Sequence, residues 1–457
     1  MTWLRLSELA GMAGGRLMGD DAPVTSVSTD TRRLEAGQLF VALGGPNFDA
    51  HALIEAGAAG QAAGVLVGRR LSASLPQIVV DDTLEGLTRM AGAWRRRFAA
   101  RVVALTGSNG KTTVKEMTAA ILRQAGAVLA TRGNLNNHIG VPLTLLSVRP
   151  DHRFAVVEMG ANHPGEIRVL TMIAAPDAAL VNNAGPAHLE GFGDLEGVAR
   201  GKGEIFSGLT AGGTAVINAD DPFYPYWMDL TRRRETITFG FASGADVRGA
   251  WISGAPLSVS TPSGAFEIDL PLEGRHNALN ALAATALSLS AGATTDQIVL
   301  GLARVRPVGG RLNTRAGVAG AEIIDDTYNA NPASLAAALD VVSNLGGETW
   351  LVLGDMGELG AEAAGLHERA GELARRAGVT RLYAVGPLSR GAASSFGAGA
   401  RHFDDTQALA ASVAPDLRSG IRVLVKGSRA MHLERLVAVL TRAGTGDESR
   451  QGAEDAA

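Results

Sequence analysis

The sequence predicts a multidomain α/β protein. Short apolar runs such as Val102–Leu105 and Phe154–Val157 alternate with stretches of helical periodicity, and glycines cluster where the runs end. This alternation is typical of βαβ units, in which helices cover both faces of a mostly parallel sheet. The 457 residues are enough for roughly three domains of about 150 residues each.

Three regions and a tail follow from this pattern. Residues 1–98 are predicted to form a small N-terminal α/β domain, and residues 99–308 a central domain with a parallel sheet. Residues 309–442 repeat the alternation and predict a Rossmann-like, doubly wound C-terminal domain. Residues 443–457 lack periodicity and are predicted to be a disordered tail.

The individual elements are predicted from apolar runs and helical periodicity. The predicted strands are Gln38–Leu43, Gly64–Val67, Val102–Leu105, Phe154–Val157, Ala179–Val181, Thr214–Ile217, Ile323–Ile324, Trp350–Leu353, Leu382–Val385 and Val423–Val425. The predicted helices are Leu84–Phe98, Val114–Leu122, Ala278–Ala291 and Glu362–Ala377. The run Arg95–Arg97 is interpreted as a solvated helix end, and the alternative is a role in anion binding near the phosphate loop.

Composition excludes several classes of protein. There is no cysteine, so disulfides, zinc–thiolate sites and a cysteine nucleophile are excluded. The formal net charge of −4 gives no basic field for nucleic acid or anionic lipid. No apolar run approaches the 18 or so residues of a spanning helix, and the charged N-terminus is unlike a signal peptide. These features predict a cytoplasmic protein without integral membrane association or nucleic-acid binding.

A phosphate-binding loop follows the first strand of the central region. The apolar run leads into a Gly-x-x-Gly-Lys-Thr motif, formed by Gly107, Ser108, Asn109, Gly110, Lys111 and Thr112 and followed by Thr113. Glycines let backbone amides approach phosphate oxygens, the lysine adds a positive charge, and a threonine hydroxyl can bind Mg²⁺. Leu105 replaces the first glycine of the longer motif, which disfavours a GTPase or motor ATPase. The alternative is an ordinary glycine turn that opens a helix.

Polar side chains follow the neighbouring strands. Glu158 comes directly after one strand and His188 lies shortly after another. Because the carboxyl ends of parallel strands share one edge of a sheet, both are candidates to hold Mg²⁺ near Lys111. Taken singly, Glu158 could be a surface carboxylate and His188 a capping or packing histidine.

Two further features are less specific. Composition alone describes Lys202 as an exposed helix lysine. Asn134, Asn136 and Asn137 belong to a segment too rich in amides for a helix or strand. It predicts a polar loop suited to carbonyl, hydroxyl or carboxylate recognition, and the alternative is an Asx-rich turn.

Together these motifs resemble the Mur ligase family, the ATP-dependent amide-forming enzymes of peptidoglycan synthesis. Within it they look most like the branch that adds D-alanyl-D-alanine to the UDP-N-acetylmuramoyl tripeptide. The motifs that carry the resemblance are Ser28–Arg32, Phe40–Leu43, Thr106–Thr113, Gly133–Pro142, Glu158–Ile167, Asn182–Phe192, Lys202–Glu204, Gly274–Asn277 with Asn280, Asp325–Pro332, Gly354–Gly360 and Val425–Arg429.

The resemblance implies an ATP site with two Mg²⁺ ions. Lys111 would hold the γ-phosphate, while Thr112, Glu158 and His188 would bind Mg²⁺. Lys202 falls where family members carry a carbamylated lysine, a carboxylate-like metal ligand made with CO₂. The remaining assignments are Asn277 and Asn280 near adenine, Asp326 at the ribose and Arg311 approaching the phosphates.

The resemblance also implies where the substrates bind. The residues assigned to the uridine-diphosphate end are Thr29, Asp30, Arg32, Phe48 and His51. Those assigned to substrate elsewhere are Asn134, Asn136, Asn137, Asn329, Asn331, Lys426, Ser428 and Arg429. For Gly354–Gly360 and Lys426–Arg429 the alternative is a pair of strand-end loops that only shape the sheet.

The implied activity is formation of an amide bond through an acyl phosphate, with the third domain closing over the site and a monomer as the family expectation. One alternative is a folylpolyglutamate synthase, which the additional first domain with its Ser-Thr-Asp-Thr-Arg string disfavours. Another is a P-loop regulatory protein, which would not need polar motifs in all three regions.

Overall fold

A computed structural model describes residues 4–45 and 48–441. The predicted tail at 443–457 lies outside the described residues. The described chain divides into two compact units. The first comprises residues up to Ala184, Ala199–Leu270 and Leu279–Val305; the second comprises Gly185–Val198, Pro271–Ala278 and residues from Arg306 onwards.

The first unit begins with a five-stranded sheet in the order β2-β9-β8-β5-β4, parallel except for β2. Strands β1 and β3 pair separately, as do β6 and β7. The strands are β1 Leu4–Arg5, β2 Arg16–Met18, β3 Pro23–Val24, β4 Val27–Ser28, β5 Leu39–Val41, β6 Gly44–Gly45, β7 Phe48–Asp49, β8 Gly64–Val67 and β9 Gln77–Val79. The helices are α1 Leu6–Ala13, α2 Ala50–Glu55 and α3 Thr83–Arg95.

A nine-stranded sheet forms the rest of this unit, in the order β11-β12-β10-β13-β14-β15-β16-β17-β18. Its strands are β10 Arg101–Thr106, β11 Val128–Ala130, β12 Phe154–Glu158, β13 Ala178–Val181, β14 Thr214–Asn218, β15 Glu235–Gly240, β16 Val247–Ala250, β17 Leu257–Thr261 and β18 Gly264–Ile268. The helices between residues 111 and 302 are α4 Lys111–Leu122, α5 Gly140–Leu146, α6 Glu166–Ala174, α7 Leu189–Phe192, α8 Leu195–Gly203, α9 Tyr224–Leu230, α10 Arg275–Ser290 and α11 Thr295–Leu302. Of these, α7 and the first residues of α8 and α10 belong to the second unit.

The order of these strands sets the place of the site. Strand β10 lies between β12 and β13, so the sheet grows from β10 towards one edge through β12 and towards the other edge through β13. Ligands of open α/β sheets bind at such a switch point, beyond the carboxyl ends of the strands. Strands β17 and β18 extend the parallel sheet as an antiparallel ribbon that the apolar runs did not predict. Buried and more exposed positions alternate along β16 and β17, so neither gives a continuous apolar run.

The second unit holds a six-stranded sheet in the order β19-β20-β24-β21-β22-β23, parallel except for β19. Its strands are β19 Asn313–Ala316, β20 Glu322–Asp326, β21 Glu348–Gly354, β22 Arg381–Val385, β23 Ala400–Phe403 and β24 Ile421–Lys426. Its helices are α12 Pro332–Asn344, α13 Ala363–Arg376, α14 Ser389–Phe396, α15 Thr406–Val413 and α16 Glu434–Thr441.

Both faces of this second sheet are buried. Along β21, Trp350 and Val352 join one core cluster, whereas Leu351 and Leu353 join the other. Successive side chains of a strand point to opposite faces, so a strand covered on both sides needs an unbroken apolar run. That requirement explains why these strands were predictable, and the multidomain α/β class is confirmed.

Arg95 is buried, and its guanidinium donates to the carbonyl oxygens of Ala174 and Phe98, so the interpretation of Arg95–Arg97 as a solvated end is wrong at this position. Of the three arginines, only Arg96 and Arg97 are exposed.

Across the described ranges, none of the helices has the length and apolar character that crossing a membrane requires.

Candidate active site

The phosphate loop connects β10 to α4 through two glycines with positive φ. Gly107 has φ +154° and Gly110 has φ +79°, where it caps the N-terminus of α4. A Cβ atom at Gly110 would lie 2.4 Å from Asn280 Oδ1 and 2.6 Å from Asn182 Nδ2. Only glycine fits such a position. Lys111 folds back over the loop, because its Nζ donates to the Gly107 carbonyl at 2.8 Å.

Three asparagines hold the loop in this shape. The Asn109 amide donates to Asn183 Oδ1 at 2.8 Å, and the Asn109 carbonyl accepts from the side chains of both Asn182 and Asn183. Asn280 Oδ1 accepts from Asn182 Nδ2 at 3.0 Å. In the sequence, Asn182 and Asn183 belong to the Asn182–Phe192 motif, and no local signal links them to the loop. Asn280, assigned to the adenine region, supports the loop here.

Glu158 lies beside the start of α4. Its side chain is buried, and its Oε1 accepts from Asn136 Nδ2 at 2.7 Å and from Thr112 Oγ1 at 3.4 Å. Its backbone amide donates to Thr131 Oγ1 at 3.0 Å. The structure therefore brings together three of the predicted residues, Thr112, Asn136 and Glu158. Thr131 was not predicted, since a single threonine after a short strand carries no recognisable signal.

These residues fit a Mg²⁺ ion. Glu158 Oε2 is buried and has no hydrogen-bond partner, which is costly for a carboxylate unless a cation compensates it. Mg²⁺ characteristically takes one or two carboxylates and fills its remaining positions with phosphate and water oxygens. Such a site does not need a protein cage, and within residues 4–45 and 48–441 no cluster of three or more histidine and carboxylate side chains could hold a metal ion.

Lys202 is completely buried, so its description as an exposed helix lysine is wrong. Gly201 and Gly203 flank it on α8, and the missing side chain at Gly203 lets the Trp227 ring pack against the helix. Trp227 Nε1 also donates to the Ala199 carbonyl at 3.0 Å. Burial, together with the positive charge of Lys111, lowers the pKa of Lys202 to about 7, against the opposing effects of Glu166 and Glu204.

In the second unit, the Nδ1 of His188 lies against the carboxylate of Glu358. Both residues have left-handed backbones, with φ 56° at His188 and 60° at Glu358. Such conformations are uncommon outside glycine and persist only where surrounding contacts hold them. The Glu190 amide also donates to the Glu358 carbonyl at 3.4 Å. Glu358, the partner of His188, lies in the Gly354–Gly360 motif, but nothing in the sequence links it to His188.

The rest of that motif shapes the sheet. Asp355 accepts from the Ser389 amide at 2.7 Å and so caps α14, while Met356 and Leu359 belong to the core. These contacts match the alternative in which Gly354–Gly360 is a strand-end loop. Its predicted contact with substrate stays a prediction.

Asp326 and Lys426 end adjacent strands in register, and their side chains form a buried ion pair. Lys426 Nζ also donates to the Asn329 carbonyl at 3.1 Å. Burial lowers the pKa of the neighbouring His276. The negative charge of Asp326 opposes this shift in pKa, and the positive charge of Lys426 adds to it. Lys426, assigned to substrate binding, therefore has its ammonium occupied by protein groups.

The other predicted residues of this unit fall into two groups. Arg311 stacks over the ring of Tyr328 with 4.4 Å between the guanidinium carbon and the ring centre, and Asn277 Nδ2 donates to the Glu273 carbonyl at 2.7 Å. Both line a cavity of about 820 Å³. At the loops beyond the strands, Asn331 caps α12, Ser428 is buried, and the exposed residues are Asn329 and Arg429.

The residues predicted for the uridine-diphosphate end lie after β4, on β7 and on α2 of the N-terminal part of the chain. Asp30 binds the Arg32 guanidinium through both carboxylate oxygens, and that hydrogen bonding lowers the pKa of Asp30 to about 2. His51 Nε2 accepts from the Gly68 amide at 2.9 Å, and its Nδ1 faces Asp49. Phe48 is 55% exposed. Thr29 directly follows β4, and Gly68, which donates to His51, directly follows β8, so both contacts lie at the carboxyl ends of strands of this sheet.

The sheet order and the glycine loop at its switch point define a P-loop α/β nucleotide-binding protein. The profile described as "Mur ligase middle domain" matches residues 105–288, and the one described as "Mur ligase, glutamate ligase domain" matches residues 310–429. The chain belongs to the Mur ligase family.

Full-length relatives agree with this assignment. The UDP-N-acetylmuramoyl-tripeptide--D-alanyl-D-alanine ligase of Escherichia coli (strain K12) is 46% identical over 452 residues, covering 97% of this chain and 100% of the relative. The crystal structure of MurF from Acinetobacter baumannii is 35% identical with a TM-score of 0.90, covering 96% of this chain and 99% of that one. The structure of MurF from Thermotoga maritima in complex with ADP is 29% identical with a TM-score of 0.82, covering 92% and 97%.

Proposed function

We propose that this chain is an ATP-dependent ligase that joins D-alanyl-D-alanine to the UDP-N-acetylmuramoyl tripeptide in peptidoglycan precursor synthesis, releasing ADP and phosphate. The observation that carries the chemistry is the phosphate loop with Glu158 beside its helix, joined to Thr112 and Asn136. The choice of substrates is supported by the name of the Escherichia coli relative, which matches along the whole chain.

The reaction proceeds in two steps. A carboxylate is a poor electrophile, so an oxygen of the tripeptide carboxylate first attacks the γ-phosphorus of ATP, and ADP leaves. The amine of D-alanyl-D-alanine then attacks the acyl carbon and loses a proton, and phosphate departs with the bonding electrons. Charge spreads over the phosphoryl oxygens in the first transition state, where Lys111 and the loop amides stabilise it.

Thr112 and Glu158 would hold Mg²⁺, which supplies positive charge to the transferring phosphoryl group. The buried, unpartnered Oε2 of Glu158 supports this assignment. His188 is proposed as a further ligand, consistent with two ions in all. Its Nδ1 faces Glu358, so the metal would take its Nε2, as expected for a histidine oriented by a carboxylate.

Lys202 is proposed to carry a CO₂-derived carbamate. Only an uncharged amine attacks CO₂, and with a pKa of about 7 the buried Lys202 has a substantial uncharged fraction at neutral pH. The carbamate would replace a buried positive charge near Lys111 by a negative one. That exchange would remove the repulsion between the positive charges of Lys202 and Lys111. It would also place carbamate oxygens where they could bind a cation.

The remaining predicted contacts are part of the same proposal. Nucleotide contacts are assigned to Asn277, Asn280, Arg311 and Asp326, and the uridine-diphosphate contacts to the N-terminal set from Thr29 to His51. The protein is proposed to act in the cytoplasm as a monomer.

The test is ADP release with each substrate omitted in turn. A ligase of this kind needs both the UDP-muramoyl tripeptide and D-alanyl-D-alanine, and Lys111→Ala should abolish release while circular dichroism shows an intact fold. A folylpolyglutamate synthase would instead use a folate and glutamate, and a P-loop switch would ignore all of these substrates. Normal ADP release from Lys111→Ala in the presence of both substrates would refute the assignment.

A further inference from the structure

A second lysine on the phosphate-loop helix, Lys115, is buried away from the phosphate loop's own lysine. Lys115 lies one turn after Lys111 on α4 and is 1% exposed. Its Nζ donates to the Thr131 carbonyl at 2.8 Å and pairs with Glu116 Oε1 at 2.9 Å. Lysine is almost never fully buried unless it is paired. A buried ion pair is weak evidence for a stabilising role, so stability alone does not explain the burial of Lys115.

The acceptor of Lys115 leads directly to Glu158. Thr131 uses three groups at once: its carbonyl accepts from Lys115, its amide donates to the Val156 carbonyl at 3.0 Å, and its Oγ1 accepts from the Glu158 amide at 3.0 Å. Thr131 is itself 1% exposed. Lys115 therefore ties α4 to the residue that fixes the backbone of Glu158.

The same segment reaches the carboxylate from its other end. Thr131 begins the polar loop that contains Asn136, which donates to Glu158 Oε1 at 2.7 Å, and the Gly160 amide donates back to the Asn136 carbonyl at 2.7 Å. Displacing Thr131 would thus shift both the backbone and the side-chain partner of Glu158. The unpartnered Oε2 would lose its fixed direction.

We propose that Lys115 is a positioning residue for the Glu158 carboxylate, acting through Thr131, and that it thereby sets the affinity for the divalent cation. The inference rests on the proposed function, in which Glu158 holds that cation. Lys115 touches neither nucleotide nor metal in this role. Groups that orient a metal ligand from behind typically change metal affinity by 10–100-fold when they are removed.

The test measures Mn²⁺ binding by electron paramagnetic resonance of the ADP-bound protein, which reports free Mn²⁺ without turnover. Lys115→Met keeps the apolar stem and should weaken Mn²⁺ binding about tenfold or more, with metal-free ADP affinity unchanged. The matched control is Thr118→Val on the same helix, because Thr118 is fully buried and its Oγ1 has no partner. It should bind Mn²⁺ like the unaltered protein. Equal Mn²⁺ affinity in both variants would overturn the proposal.

A second pair of variants decides the matter if Lys115→Met does not fold. Thr131→Ser keeps the hydroxyl and should retain Mn²⁺ affinity, whereas Thr131→Val removes the acceptor of the Glu158 amide and should reduce it. Equal affinities would again overturn the inference. Glu158→Gln tests the metal assignment separately. If Glu158→Gln leaves Mn²⁺ binding unchanged, Glu158 is not a metal ligand and the assignment in the proposed function fails. If Glu158→Gln weakens Mn²⁺ binding but the Lys115 and Thr131 variants do not, only the role of Lys115 fails.

Discussion

Asp326 and Lys426 stand directly opposite each other at the ends of two parallel strands, and their charged groups meet in the interior. Only 2% of Lys426 is exposed. A buried charge that loses its partner keeps its desolvation penalty, which typically costs 3–5 kcal/mol. The pair also anchors the loop after β20 through the Asn329 carbonyl, so its effect should extend to the loop.

We expect Lys426→Met and Asp326→Asn each to lower the free energy of unfolding by about 3–5 kcal/mol, measured by urea denaturation with circular dichroism. The double variant should lose less than the sum, because it leaves no unpaired charge. The control is Arg390→Ala, which breaks the exposed pair with Asp404 and should cost less than about 1 kcal/mol. A loss in Lys426→Met no greater than in that control would contradict the expectation.

The phosphate loop offers a comparison between two glycines that share a backbone conformation. Gly110 and Gly165 each cap a helix N-terminus with positive φ, 79° and 89°. A Cβ atom would meet nothing within 4 Å at Gly165 but would clash with Asn280 and Asn182 at Gly110. Both alanine variants bear the backbone strain, and only Gly110→Ala also displaces the loop.

We therefore expect Gly110→Ala to weaken ADP binding at least tenfold, measured by isothermal titration calorimetry, and Gly165→Ala to leave it unchanged. Thermal unfolding of the two variants separates affinity from stability, since the strain at positive φ is common to both. Equal ADP affinity in the two variants would show that the loop tolerates a side chain at Gly110.

The sequence predicted those parts of the fold and site in which the local pattern reports the structure. Strands buried on both faces, such as β10 and β21, are continuous apolar runs, and the glycine loop follows its strand directly. Thr112 and Glu158 could be placed near each other because parallel strand ends share an edge. Their contact through Thr112 Oγ1 is consistent with that inference.

Contacts between distant segments could not be predicted in this way. Lys202 has the composition of an exposed lysine, but Trp227 from α9 covers its helix where Gly203 leaves room. Asn280 reaches the phosphate loop from about 170 residues away along the chain through Asn182. The pair of His188 and Glu358 likewise depends on two left-handed residues whose backbone angles no local pattern encodes.

The carbamate proposal can be tested by replacing the modified side chain. Lys202→Ala should lose ligase activity and leave a cavity where the lysine lay, since Lys202 is fully buried. Acetate or formate can enter such a cavity and present a carboxylate where the carbamate would be. We expect partial recovery of ADP release with either anion and none with chloride at equal ionic strength. Failure of both anions at every concentration would argue against a carbamate.

Lys202 should also make stability depend on pH. Burial chiefly, with Lys111, lowers its pKa from the usual 10.5 to about 7 in the folded protein. Below about pH 7 both the folded and unfolded chains hold this proton, so the group contributes no pH dependence. Above that pH the folded chain releases the proton while the unfolded chain keeps it to about pH 10.5. The free energy of unfolding must therefore rise with pH in this window.

Between pH 7 and pH 9 this rise should amount to about 2 kcal/mol, because each pH unit of full differential protonation is worth about 1.4 kcal/mol. Lys202→Met has no such proton to release. Between pH 7 and pH 9 its free energy of unfolding should therefore rise by about 2 kcal/mol less than that of the unaltered protein. Urea denaturation of both proteins in CO₂-free buffer measures the difference, and excluding CO₂ keeps the carbamate from forming. Parallel pH profiles would mean that the ammonium of Lys202 is not destabilised by its burial, and an uncharged amine could then not be the source of a carbamate at neutral pH.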